Sequence, residues 1–268
     1  MRNIFNTLLV LLCMADILVI LTIFMLSARS LFNQHDLLDI LFPLSEGLCH
    51  VAISASIFMT VTITVERYIA VSRPYSYQIR LAEKGFRWIL SCYLIPVILG
   101  AILLNIPRIL QISILLPDIF GNNERISIKA GIIYQIVHPL TTTCILPIII
   151  FIILNYHIVK ASKRRFLPSG KIAAEISLAK IMMRIVIIFI ILNIPRVSLS
   201  IYEVSTIPNI LECYERNCRY YISSKRWLLD KIIRYLVILN SSINFFIYCF
   251  VGSNFRNTLN NVVLKWFQ

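Results

Sequence analysis

An acid, a base and a phenol stand side by side at the end of one long apolar run. Glu66, Arg67 and Tyr68 close a segment that is apolar almost without a break from Ile40. A carboxylate beside a guanidinium forms charge-assisted hydrogen bonds, and such a pair is worth more when it is partly buried than when it is exposed. The pattern predicts a polar latch where a helix leaves an apolar environment, followed by a loop through Pro74.

A second polar group lies in the middle of an apolar run. Asp16 has apolar residues for more than two turns on either side, and a charge at the centre of a membrane costs a few kcal/mol, so it must face protein, water or an ion. Carboxylate, hydroxyl and amide oxygens suit a small cation such as Na⁺, but the same groups also hydrogen-bond between helices. Both interpretations stay open. Small polar residues at similar depth in other runs are Ser54, Ser56, Asn240, Ser241, Ser242 and Asn244.

The composition indicates that lipid surrounds most of the chain. Of 268 residues, 58% are hydrophobic and 15% are charged, more apolar surface than one soluble core can hide. A helix needs about 20 apolar residues to cross a bilayer, and six runs are long enough. The sequence therefore predicts an all-α membrane protein. The runs are 4–27, 40–66, 88–107, 131–159, 181–202 and 232–251.

The bases set the expected orientation. With the amino terminus in the cytoplasm, the inner segments hold 15 of the 26 Lys and Arg residues and three acids, whereas the outer segments hold 11 bases and nine acids. Bases near the ends of spans are retained in the cytoplasm. The positive charge is thus a property of the cytoplasmic surface, and nucleic-acid binding is the weaker explanation.

The loops and the tail carry three further predictions. Segment 161–180 is basic and contains Pro168 and Gly170, which predicts a flexible link, and segments 108–130 and 203–231 form the long outer loops. Residues 253–268 have apolar side chains at helical spacing, which predicts an amphipathic helix on the inner membrane face. Cys213 and Cys218 lie in an outer loop, where a disulfide persists, although either thiol can pair elsewhere or stay free.

Other function classes lack their signatures. No cysteine and histidine spacing typical of a metal site is present, and Asp16 is the one acid in mid-membrane, whereas an intramembrane hydrolase needs a second acid or a Ser-His pair. A six-helix carrier would show three repeats with Gly-rich spans, which are absent. We expect no enzyme and no metal.

Taken together, the motifs resemble those of the rhodopsin-like (class A) G-protein-coupled receptors. They occur in order along the chain: Leu12 to Asp16, Glu66-Arg67-Tyr68 with Ser72-Arg73-Pro74, Leu146-Pro147, Asn193-Ile194-Pro195 and Asn244 to Tyr248. The resemblance implies that family's helical bundle over residues 1–252, here without its first helix, and a short amphipathic helix over 253–268.

The resemblance also implies roles for individual residues. It implies an ionic lock and G-protein coupling surface in which Arg67 pairs with Glu66 and with an acid 20 residues before Pro195. A sodium pocket, with Na⁺ as an allosteric ion, and a packing switch are implied as well. The lock comprises Glu66, Arg67, Tyr68, Glu175 and Tyr248; the sodium pocket Asp16, Ser56, Asn240 and Asn244; the switch Ile57, Pro147, Phe189, Asn193 and Pro195.

Departures from the family pattern point to a subgroup. Phe245 and Asn193 replace a proline and a tryptophan, and Leu104 to Arg108 reads Leu-Asn-Ile-Pro-Arg. These features are similar to those of the invertebrate FMRFamide-type neuropeptide receptors. The resemblance implies a plasma-membrane receptor for a short amidated peptide, which signals to a heterotrimeric G-protein through outward movement of the family's sixth helix. A truncated, non-signalling receptor is the alternative.

A peptide ending in Arg-Phe-amide needs an acid for its guanidinium and an apolar slot for its ring. Acids near the outer ends of spans could bind the guanidinium of the peptide, and deeper arginines could bind a carboxylate or an amide carbonyl of the ligand. Glu46 or Glu203 paired with Arg196 is the structural alternative. The ligand-binding candidates are Glu46, Cys49, His50, Arg196, Glu203, Asp230 and Arg234, with Phe42, Tyr134 and Tyr202 for the slot.

Overall fold

The described part of the chain consists of helices. A computed structural model describes residues 4–28, 36–114, 136–163, 170–216 and 224–251, and the predicted all-α membrane fold is confirmed. The α-helices are α1 (Ile4–Ala28), α2 (Asp36–Ser72), α3 (Pro74–Lys84), α4 (Phe86–Ile114), α5 (Leu146–Lys163), α6 (Gly170–Glu215) and α7 (Ser224–Val251).

Five of these helical segments are long and apolar enough to cross a membrane, counted over the described residues. They are Ile4–Ser27, Ser45–Ser72, Phe86–Ile106, Ile136–Ser162 and Met183–Cys213. The sixth predicted run falls on α7, whose side chains from Phe245 to Phe250 lie outside the described ones. The chain is thus a multi-pass membrane protein.

Apart from the buried Asp16, packing and not polarity decides which face of α1 turns inward. Both faces are apolar, because one meets protein and the other meets lipid. Leu8 and Leu12 are fully buried, whereas Met14, Leu21 and Phe24 are exposed. Since lipid is as apolar as leucine, the sequence pattern alone does not distinguish the two faces.

Helix α2 is the central element of the bundle. It packs against α1, α4, α5 and α6, and α7 closes the ring by packing against α6 and α1. A buried polar contact joins α2 to α4, where Asn105 Nδ2 donates to Ser54 Oγ (3.0 Å) and to the Ala101 carbonyl (2.8 Å). The central position of α2 lets one helix carry side chains at both ends of the bundle.

Several predicted boundaries were wrong. The predicted link 161–180 is largely helical, since α5 ends at Lys163 and α6 begins at Gly170. The predicted loop 203–231 is also shorter, because α6 continues to Glu215 and α7 begins at Ser224. Membrane helices extend past the lipid when their ends stay packed or solvated, so hydropathy marks the spans and not the helix ends. The tail 253–268 lies outside the described residues.

The entry to α5 has an irregular backbone. Residues Leu140–Ile145 form a π-helical stretch between Pro139 and Pro147. Proline lacks an N–H and clashes with the carbonyl four residues earlier. Three threonine hydroxyls donate to the carbonyls of Val137, His138 and Pro139 at 2.7–3.1 Å, which satisfies acceptors that the shifted register leaves unused.

Two tryptophans lie at opposite ends of the bundle. Trp88, near the start of α4, has the Lys84 ammonium 4.4 Å from its ring centroid, and Trp227, near the start of α7, has the Lys231 ammonium at 5.2 Å. Both rings are more than half exposed. Exposed tryptophan with a nearby base is typical of the lipid headgroup level.

Candidate functional site

The polar latch at the inner end of α2 is fully buried. Arg67 is 1% exposed and Glu66 is 0% exposed. The guanidinium donates twice to the carboxylate, from Nε to Oε2 and from Nη2 to Oε1, both at 2.5 Å. A bidentate pair of this kind holds both side chains in one geometry. In this conformation the arginine points into the protein.

Two aromatic residues complete the latch, and the sequence analysis found neither. The Tyr77 hydroxyl donates to Glu66 Oε1, and the Phe5 ring centroid lies 4.3 Å from the Arg67 guanidinium carbon. Tyr77 belongs to α3, a short helix within a predicted loop, and Phe5 is an ordinary apolar residue in the first turn of α1. Only their three-dimensional position shows what they contact.

The other predicted members of the lock are placed differently. Tyr68 is half-buried, and its ring lies 5.9 Å from that of His157 on α5. The side chains of Glu175 and Tyr248 lie outside the described ones, so the pairing of Arg67 with Glu175 stays a prediction.

At mid-depth, three helices meet around Asp16. Its carboxylate accepts a hydrogen bond from Ser56 Oγ of α2 (2.6 Å) and one from Asn244 Nδ2 of α7 (3.0 Å). Ser241, which is also buried, lies near this carboxylate, although the implied pocket contained Asn240 instead. Ser241 and Asn244 are three residues apart and share one face of α7, which is the signal that would have found Ser241.

A small cavity adjoins this cluster on its outer side. Its volume is about 20 Å³, room for about one water molecule. Polar groups from three helices line it, which makes a water or small ion chemically suitable as an occupant. They are Ser56 of α2, Asn193 and Arg196 of α6, and Asn240 and Ser241 of α7.

The predicted packing switch lies beside this cavity. Ile57 and Phe189 belong to one buried apolar cluster with Phe151 and Val186, and the Phe151 and Phe189 rings meet edge to face with centroids 5.2 Å apart. Pro147 is also buried. One turn beyond Phe189, the amide of Asn193 donates to the Phe189 carbonyl (2.8 Å), and Pro195 lies inside the continuous helix α6.

Two of the three predicted outer acids already have partners. Glu203 of α6 accepts a hydrogen bond from Arg226 of α7 (2.9 Å), and Asp230 accepts one from Arg234 one turn along α7 (3.0 Å). Of the structural alternatives considered, the pairing of Glu203 with Arg196 is not formed, because Glu203 pairs with Arg226. Arg226 was missed because it lay inside a predicted loop that is helical in the structure.

The remaining outer candidates lie on α2 and α6. Cys49 is buried on α2. Within the described residues, neither Glu46 nor Arg196 has a charged partner. Glu46 is exposed, and His50 and Arg196 are half-buried. Tyr202 is 52% exposed, so it does not line an enclosed slot, and the side chains of Phe42 and Tyr134 lie outside the described ones.

Cys213 near the end of α6 is in a disulfide. Cys218 lies outside the described residues, so the pairing of these two cysteines stays a prediction. Cys13, Cys49, Cys92 and Cys144 are not in disulfides.

The family model for 7 transmembrane receptors of the rhodopsin family matches residues 1–248. The chain belongs to this family. It is also similar to an FMRFamide receptor of Drosophila melanogaster, with 28% identity over 229 residues, which are 80% of this chain and 38% of that protein. The chain thus spans less than half the length of this relative. The rhodopsin-like family predicted from the motifs is confirmed, and the similarity to an FMRFamide receptor agrees with the predicted subgroup.

Proposed function

We propose that the protein is a G-protein-coupled receptor of the plasma membrane for a short peptide. Outward movement of the inner part of α6 would pass the signal to a heterotrimeric G-protein. The observation that supports this most is the buried Glu66–Arg67 pair. Breaking this pair would make the Arg67 guanidinium accessible to a G-protein. A buried pair is costly to form and is not needed for stability alone, and membership of a receptor family supports its use in signalling.

The transition to the signalling conformation would replace the contact of Arg67 with Glu66 by a contact with the G-protein. Arg67 would leave Glu66 and turn toward the G-protein as α6 moves away. Two features support α6 as the moving element: Pro195 interrupts its hydrogen bonds, and a cavity of about 20 Å³ lies beside Asn193 and Arg196. Such a change needs a ligand that binds the two arrangements with different affinity.

We call the region around Glu46 of α2 and Arg196 of α6 the outer cleft, and the charges of these residues support a ligand with complementary charge. Glu46 is exposed and has no ion-pair partner within the described residues, so it would accept the guanidinium of an Arg-Phe-amide peptide. Arg196 has no partner there either, and would donate to the terminal carbonyl of the same peptide. The similarity to an FMRFamide receptor supports a ligand of this class.

The deciding experiment compares Arg67→Ala with the unmodified chain in membranes that contain G-protein. A pool of amidated peptides serves as the probe, and stimulated nucleotide exchange and peptide binding are measured. We expect exchange to be lost while binding stays within about 3-fold, because Arg67 lies far from the outer cleft and a change that small is below 1 kcal/mol. Arg73→Ala, which removes an exposed base six residues away, is the matched control.

Two results would count against the proposal. Equal exchange in Arg67→Ala and the parent would remove Arg67 from coupling. No exchange from the parent with any peptide, despite binding, would favour a receptor that does not signal.

The ligand assignment has its own test. Glu46→Gln should weaken binding of the Phe-Met-Arg-Phe-amide probe about 10-fold, because a charge-assisted hydrogen bond becomes a neutral one. Glu212→Gln is the control, since Glu212 is an exposed acid paired with Arg216 near the end of α6. Equal loss in both variants would show a general effect of surface charge and exclude a specific contact.

A further inference from the structure

The face of the Arg67 guanidinium lies over an aromatic ring from another helix. The Phe5 centroid is 4.3 Å from the guanidinium carbon, and Phe5 and Arg67 are 3% and 1% exposed. Glu66 occupies edges of the planar guanidinium through Nε and Nη2. The ring therefore covers a surface of the cation that a carboxylate does not use.

An aromatic ring contributes something here that an aliphatic side chain does not. The face of the ring carries negative charge density, which attracts a cation within about 6 Å, and the attraction is greatest when water is excluded. Guanidinium is planar and weakly hydrated, so it stacks on rings more readily than an ammonium does. Leucine at the same place would bury similar area without this attraction.

The position of the ring depends on the closed bundle. Phe5 belongs to a buried apolar cluster that also contains Ile63 of α2 and Ile185 of α6. Ile185 lies in the inner half of α6, ten residues before Pro195. Movement of that half away from α1 and α2 would remove one of the residues that keep this cluster closed around the ring.

We propose that Phe5 is a positioning residue that holds Arg67 in its buried, paired orientation through a cation–π contact, so that α1 helps to keep the chain silent without ligand. The consequence for signalling rests on the proposed function. The consequence for the position of Arg67 does not, since the contact holds the cation whether or not a G-protein is present.

The test replaces Phe5 by phenylalanines with one, two and three ring fluorines. Fluorine withdraws charge from the face of the ring and leaves its shape nearly unchanged, so packing is kept while the cation–π attraction falls. Phenylglyoxal modification of Arg67 is followed by mass spectrometry, with exposed Arg73 as the reference in the same peptide region. Phe5→Tyr keeps the ring face and is the control; Phe5→Leu removes it.

We expect Arg67 in the parent to react at least about 10-fold more slowly than Arg73, because it is buried. The protection should fall stepwise with each fluorine and by about 10-fold in Phe5→Leu, the range of a desolvated cation–π contact. Phe5→Tyr should match the parent. If Phe5→Leu fails to fold, the fluorinated chains still give the answer because they keep the shape of the ring.

Unchanged protection across the fluorine series would overturn the proposal, even if Phe5→Leu lowered it, since packing alone would then explain the site. Ligand-independent nucleotide exchange is measured on the same samples and should rise as protection falls. Reduced protection with no exchange from any sample, with or without peptide, would leave Phe5 as the positioning residue and refute the proposed coupling instead.

Discussion

The charged residues at the two ends of the bundle differ in how deeply they are buried and in how completely they are paired. At the inner end, Glu66 and Arg67 are completely buried and are joined by two hydrogen bonds. At the outer end, Glu203 and Arg226 form one hydrogen bond and remain about one fifth exposed, while Glu46 and Arg196 have no charged partner among the described residues. A buried ion pair is either formed or broken, because breaking it leaves a buried charge at a large cost. Partly solvated charges change partners at a small cost and can adapt to a ligand. The inner end is suited to switching and the outer end to recognition.

Removing the inner acid should have the largest effect. Glu66→Gln leaves a buried guanidinium without its counter-charge, and breaking such a pair costs about 3–5 kcal/mol. We expect a large drop in thermal stability in detergent, measured by thiol-reactive dye.

The double variant Glu66→Gln/Arg67→Met is the control, because it removes the orphaned charge as well. It should recover most of the lost stability. A double variant as unstable as the single one would show that the pair is not the source of the effect.

The mid-membrane cluster should give an intermediate effect. Asp16→Asn replaces a carboxylate that accepts hydrogen bonds from Ser56 and Asn244 by an amide whose nitrogen can meet one of these donors, at a cost of about 1–3 kcal/mol. If Asp16 also binds sodium, the parent will melt at a higher temperature in sodium chloride than in choline chloride, and the variant will not.

Asn105→Ala is the matched control, since Asn105 is equally buried but contacts Ser54 and not Asp16. It should lose stability and keep the response to sodium. A parent that melts identically in both salts would assign Asp16 to hydrogen bonding between helices alone.

The outer pair should give the smallest effect. Glu203→Gln removes a contact that is partly exposed to water, which is worth about 0.2–1 kcal/mol and is screened by salt. The difference in melting temperature from the parent should shrink further in high salt. Glu212→Gln, from a pair that is 57–74% exposed, should change nothing measurable. A loss as large as that of Glu66→Gln would abolish the contrast between the two ends.

The sequence analysis predicted those site residues whose type is unusual for their surroundings, such as a polar residue in an apolar run. Asp16, Ser56 and Asn244 were found because polar groups at mid-membrane must meet one another, and the Glu66–Arg67 pair because the two residues are adjacent. Tyr77, Phe5 and Arg226 were missed for a different reason. Each has a type that is unremarkable where it stands, and its role depends on how α3, α1 and α7 are placed in space.

The helix ends show the same limit. Hydropathy locates the stretch of α6 that lies in lipid, but the helix runs on at both ends, from Gly170 to Glu215. Charged and polar residues interrupt the apolar residues of both extensions, so the hydropathy falls there although the helix continues.

The length of α6 has a mechanical consequence. At a rise of about 1.5 Å per residue, Gly170 lies about 38 Å from Pro195 along the helix and Glu203 about 12 Å from it on the other side. A rigid rod that pivots at the proline is therefore a lever with unequal arms. Displacing Glu203 by about 1 Å would swing the Gly170 end of α6 by about 3 Å in the opposite direction, so that a contraction no larger than a hydrogen-bond adjustment would open a gap of side-chain size.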